Sequence, residues 1–416
     1  MSMLARSLLV FALFLGPLVA MADELPKDTN KITSLTVEQA LKLVAEFEGV
    51  DADVRMETAA GELGVSDCLP LNGLKTLDAD VARALAGYEG SIVLNGLTTL
   101  SPEAAAGIAK HKGYLVLNGL TTLSPEAATA LAQYEGGMLF LNGLSSLSPE
   151  VATALAEYDE GYLVLNGLTA LDAATAKALA TYRGFELSLN GVTTLSAEVA
   201  AAIKRSRTES LGLNGLTTLD AEAASSLAKY VGGQLTLTGL ATIDADTAAA
   251  LAECYRGGAL NLRGLATISP EAAQALAECK AEHLLIQTDS LDVLTLDTIG
   301  LVVVAARKED SEALLDKVVA LDSPDAVEIA GMLAATKGAV LLPNLKRLSP
   351  KTFETLTKKE DLLLAEPDTL EFIPEPDGSG SAGDDVVIPH HFEERQRGLR
   401  TTFQGVLRSD AVKPLP

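Results

Sequence analysis

Tryptophan is absent, and aromatic residues make up only 4% of the 416 positions in a chain that is 48% hydrophobic. A thick core of large rings is therefore excluded, and burial must rest on Leu, Ala, Ile and Val. Three Cys are too few for a disulfide-dense scaffold. Four His leave little material for a multi-histidine metal site. Basic charge is scarce, with 32 Lys and Arg against 56 Asp and Glu, a net charge of −24. So acidic a surface argues against nucleic acid or an anionic lipid surface as the main partner. Beyond the N-terminus no run is apolar and long enough to cross a bilayer, which takes about 20 residues. No nucleophile elbow, phosphate loop or zinc-protease motif is present. No enzyme activity, cofactor or metal is expected.

Residues 1–22 read as a signal peptide. Arg6 precedes an apolar run from Leu8 to Ala20, and Ala20-Met21-Ala22 is a small-residue cleavage site. The run is too short to span a membrane. The chain is expected to be exported, to the periplasm, the cell surface or the medium, with no transmembrane segment after cleavage.

The dominant feature is a repeat. Gly73, Gly96, Gly119, Gly143, Gly167, Gly191, Gly215, Gly239 and Gly264 recur at spacings of 23 to 25. Leu stands two residues before each glycine, and Leu or Ile four before, as in Leu115 and Leu117. This alternation predicts a short strand with one buried face. Five residues after each glycine stands Ser or Asp, followed by Pro in four copies, as in Ser124-Pro125-Glu126. That is a helix start, with N-cap, first-turn Pro and acidic residue. Ala recurs at plus nine, and Leu or Ile at plus twelve, on one helical face. A single unit cannot bury its own stripe, whereas stacked units cover one another. The expected fold is a right-handed α/β solenoid with parallel strands on one face and short helices on the other.

The run Leu115-Val116-Leu117-Asn118-Gly119-Leu120-Thr121-Thr122-Leu123-Ser124 and the helix after it resemble the leucine-rich repeat family in its short bacterial form. The resemblance covers about residues 33–372 and implies a recognition scaffold. It departs from the family in placing Asn directly after the second strand Leu. Position plus fifteen, Cys-like in the family, is Tyr88, His111, Tyr134, Tyr158, Tyr182, Ser206, Tyr230, Cys254 and Cys279 here.

The solenoid is assigned to residues 23–373. It comprises an N-terminal capping unit at 33–49, an acidic insertion at 50–67, clear repeats at 69–282 and degenerate repeats at 283–373. A linker of Pro, Gly and Ser opens residues 374–416, which read as a disordered C-terminal tail.

The asparagines from Asn72 to Asn214 read as satisfying backbone groups at a recurring turn, and the Asp residues at plus five read as caps. His111 reads as packed. Cys254 and Cys279 read as reduced and half-buried, because helix axes about 8–10 Å apart would hold them beyond disulfide range. The variable positions are those alternating outward on the strands. Tyr114, Val116, Met138, Phe140, Tyr162 and Val164 are expected to form an exposed apolar strip and a candidate partner-binding site. The leading expectation is an exported, non-enzymatic scaffold presenting its strand face to a protein or peptide. Two alternatives are a self-associating structural component of the cell envelope, and a secreted enzyme with its site in the insertion or degenerate repeats.

Overall fold

A Leu-x-Leu triplet and an Ala/Leu helix give each unit two apolar surfaces that only a neighbour can cover. Stacking of such units is what the computed structural model shows. It describes residues 25–47, 55–58, 61–64, 67–159, 161–254, 258–308, 311–375, 386, 388 and 390–407. Ten strands, from Cys68–Pro70 to His283–Leu285, form one parallel sheet in chain order. Pairing is in register, Leu115 opposite Leu139 and Leu139 opposite Leu163. The expected signal peptide lies outside the described residues.

Between strands run helices of seven or eight residues. Their starts are as read. The Ser124 hydroxyl accepts from the Ala127 N–H, and the Asp172 carboxylate from that of Thr175. The Ala and Leu stripe faces inward, with Ala128 and Leu131 fully buried. Thr129 is exposed.

The recurring glycine has a steric cause. A Cβ at Gly119 would collide with the carbonyl oxygens of Asn95 and Leu97 in the preceding unit. The asparagine before it joins the same contact. Asn95 Oδ1 accepts from the Asn118 N–H at 3.0 Å, and Asn118 Oδ1 from the Asn142 N–H at 2.9 Å. This series begins at Asn30, which receives the Asn72 side-chain amide at 2.8 Å. It ends where Thr238 donates its N–H to Asn214 at 3.2 Å. Buried backbone donors that a turn would orphan are thus paired between units.

Position plus fifteen forms a second series, on the helix side. Tyr134 donates its hydroxyl to the Gly113 carbonyl, Tyr158 to Gly136 at 2.7 Å, and Tyr182 to Gly161. Adjacent rings pack on one another, tilted with centroids 5.7 Å apart for Tyr134–Tyr158 and stacked at 6.2 Å for Tyr158–Tyr182. After Ser206 and Tyr230, Cys254 and Cys279 take the last two places and are buried rather than half-buried. Arg307 extends the series. Its Nη2 donates to the Ala281 carbonyl at 3.3 Å, two residues beyond Cys279, as the tyrosines do one unit earlier.

The N-terminal unit ends in the helix Val37–Glu46, whose Thr36 and Gln39 form a reciprocal capping box. Residues 55–58 and 61–64 of the insertion pair as an antiparallel hairpin.

After His283–Leu285 the sheet stops. The strand Glu312–Leu314 pairs with Ala339–Leu341, which pairs with Leu362–Leu363. A second parallel series, Ala320–Leu321, Arg347–Leu348 and Glu371–Phe372, runs beside it. The degenerate units thus carry two strands each. The helix Ile299–Ala305 joins the two stacks, with Leu301 and Val304 in the first core, Ile299 and Val302 in the second. Being buried on both sides, it is apolar almost throughout.

The described part of the C-terminal tail, residues 390–407, departs from the disorder expected for 374–416. His390–Thr402 is a helix. Its Phe392 is buried against Phe353, ring centroids 5.4 Å apart. Gln396 accepts from the Leu364 N–H and donates to the Leu362 carbonyl, both at 2.8 Å. Glu375, within the presumed linker, caps the helix Pro350–Leu356 through Ser349 Oγ and the Lys351 N–H, each at 2.9 Å. The charged composition suggested disorder, but a single helical turn supplies the ring and amide that close the last strand.

Candidate functional site

Alternation places Tyr114, Val116, Met138, Phe140, Tyr162 and Val164 on the face opposite the Leu core, as expected. It does not leave them exposed. Val116, Phe140 and Val164 are 0% exposed and Met138 6%, while Tyr114 and Tyr162 are half-buried. With Cys68 and Val93 they form a separate apolar cluster. In-register pairing sets Phe140 beside Val116 on one strand and Val164 on the other. Side chains of that size, repeated about every 4.8 Å, shield one another. The open strip is therefore corrected to a closed apolar cluster with two tyrosines at its edge.

What the edge does expose is Phe185, paired with the half-buried Tyr162. Phe185 is 43% exposed and stands 4.9 Å, centroid to centroid, from Tyr162. Phe185 is missing from the sequence-based strip, although a signal existed. It occupies the place filled by Gly90, Gly113, Gly137 and Gly161 in earlier units. Next to it Glu186 is buried, and burial, with the charges of Glu186 and Glu209 adding to it, raises the Tyr162 phenol above its ordinary value.

The interruption of the sheet opens a second feature, a cleft of about 640 Å³ lined by His283, Leu285, Arg307, Lys308 and Glu312. The carbonyls of Ala281 and Glu282, which would meet a following strand, receive Lys308 Nζ at 3.3 and 3.0 Å. Burial raises the Glu312 carboxyl. Basic and acidic groups mix here, so the cleft selects no single ligand charge.

The other singled-out residues are structural. His111 is fully buried beside Tyr134, ring centroids 6.5 Å apart. Burial lowers its pKa, against nearby backbone groups of Ala86 and Tyr114 that pull the other way, and neither ring nitrogen makes a hydrogen bond of normal geometry. Asp172 and Asp244 are held below their ordinary values, Asp172 chiefly by the Thr175 N–H and Asp244 by the Thr247 N–H, as caps should be. Among the described residues no cluster of metal-ligating side chains occurs, and no helix is long and apolar enough to cross a membrane.

The class defined by these features is a parallel-strand α/β solenoid. No protein-family model matches the chain, and no curated protein matches it. Among solved structures it is similar to an internalin (inlF) from Listeria monocytogenes, at 16% identity and a TM-score of 0.31, over 52% of this chain and 67% of that one. It is also similar to a chain of the Toll–Spatzle complex of Drosophila, at 12% identity and a TM-score of 0.34, over 72% of this chain and 46% of that one.

Proposed function

We propose that the protein is an exported, non-enzymatic scaffold that binds a protein or peptide along the edge of its strand face. The observation that carries this reading is the Tyr162–Phe185 pair, an exposed aromatic anchor standing on a closed apolar cluster. Aromatic groups of this kind dominate binding energetics when a partner covers them. Tyr114 stands at the same edge. A phenylalanine where sister units carry glycine serves no stacking need, because those units stack without it.

The test is the pair Tyr162→Ser and Phe185→Ser in one chain. Binding partners are crosslinked to the wild-type protein, identified, and titrated against both chains. At least a tenfold loss of affinity with an unchanged melting temperature supports the reading. Equal affinity would place recognition elsewhere on the molecule.

A further inference from the structure

We propose that Cys254 and Cys279 are a redox pair, joined by a disulfide between two neighbouring units when the chain meets a disulfide oxidant. Both thiols are unbridged and occupy the same place in consecutive units. Helix axes are the wrong measure of their separation. At this junction the Lys280 N–H donates to the Ala252 carbonyl at 2.9 Å, and Lys280 Nζ pairs with Glu253. The two segments flanking the cysteines are therefore in direct backbone contact. The same bond occurs earlier in the series, where the Glu135 N–H meets the Ala109 carbonyl at 3.0 Å and the His111 and Tyr134 rings of neighbouring units stack on each other. The chain beside Cys279 is thus within hydrogen-bond reach of the chain beside Cys254, and a bridge requires their Cα atoms to come within the span of about 4.4–6.8 Å.

Space and charge agree with the assignment. Cys replaces the larger Tyr, and beside Cys254 a cavity of about 20 Å³ remains, bounded by Tyr230, Gly232 and Ala281. Cys279 has Arg307 in the next place of the series, and Arg307 and Lys308 both bond the Ala281 carbonyl. Burial raises the pKa of both thiols, that of Cys254 to about 12, and the charges of Arg307 and Lys308 oppose that rise at Cys279, as cations beside a thiol do. They do so next to the cleft where the sheet is interrupted, which gives an oxidant a path.

The reaction balances with an external disulfide as oxidant. Cys279 loses its proton, and its thiolate attacks one external sulfur. The external S–S bond breaks, a mixed disulfide forms, and the departing thiolate takes up a proton. Cys254, deprotonated in turn, attacks the Cys279 sulfur and expels the second external thiolate. Two protein thiols are oxidised, and one external disulfide is reduced to two thiols.

The experiment incubates the full chain with oxidised glutathione, near neutral pH and just below its melting transition, where buried thiols open transiently. Remaining thiols are then alkylated under denaturing conditions, and intact mass and linked peptides are read. The expected result is loss of the mass of two hydrogens, a Cys254–Cys279 linked peptide, a higher melting temperature, and reversal by dithiothreitol. Cys254→Ala should instead retain a glutathione adduct on Cys279, and Cys68→Ala should leave the link intact. Full alkylation of Cys254 and Cys279 in the wild type would overturn the proposal. So would a link through Cys68, or a link that lowers the melting temperature.

Discussion

His111 interrupts a series of tyrosines, and its imidazole is buried without a partner of normal geometry. Burial lowers its native pKa from 6.5. The unfolded chain therefore takes up the proton first as pH falls. Its contribution to stability is full above about 6.5 and lost as pH falls below that towards the lowered native value. His111→Tyr should remove this loss, so the gain in melting temperature over wild type should be larger at about pH 5 than at about pH 8. The tyrosines predict the opposite limb. Tyr88 and Tyr230 are pushed up to about 12, first of all by burial. The stability they contribute is full below 10 and is lost as pH rises from there through about 12. Phenolate absorbance followed together with circular dichroism should show ionisation and unfolding in the same interval. Asn142→Ala would orphan the Asn166 N–H, at a cost of about 1–3 kcal/mol measured by denaturant unfolding.

At the scale of the element, the helix phase can be tested with two neighbours. Ala128 is fully buried where one helix lies against the next, so Ala128→Leu should destabilise by about 1–3 kcal/mol. Thr129→Leu, on the exposed side, should stay within about 0.5 kcal/mol. These elements were legible in the sequence because period and cap fall at the same places in every copy, Ser124 reporting the cap and Ala128 the period. The strand strip was legible only in direction. Alternation tells on which side Phe140 lies, but exposure depends on Val116 and Val164 beside it, which are distant in sequence. Phe185 lay outside the alternation and would have surfaced only by asking which unit lacks the glycine. The short strands at 320–321 and 347–348 carry too few residues to display any period at all.

Across the whole molecule, ten parallel strands at about 4.8 Å give the first stack a length of roughly 43 Å. Solution scattering should show an elongated particle; a profile of equal dimensions would contradict the stacking. The second core depends on its closing helix. Phe392→Ala removes a buried ring that touches Phe353, a change that typically costs about 3–5 kcal/mol. Hydrogen exchange should then accelerate in Ala326–Ala334 and Pro350–Leu356 while the helices of the clear repeats keep their protection. The tail was misread because composition reports average charge. Docking here rests on Phe392, Gln396 and Arg400, three residues that an average dilutes.

The asparagine and glycine contacts involve only the unit before and the unit after. Nothing in them counts how many units there are. Length is accordingly a free parameter of this architecture, open to change by duplication or loss of one genetic module. Excision of residues 143–166 would bring Asn142 next to Gly167, leaving Asn142 Oδ1 to receive the Asn190 N–H that Asn166 now accepts at 2.9 Å. Such a chain should fold one step shorter, with the same ends. A lineage could thus vary the length of its strand face without redesigning a single contact.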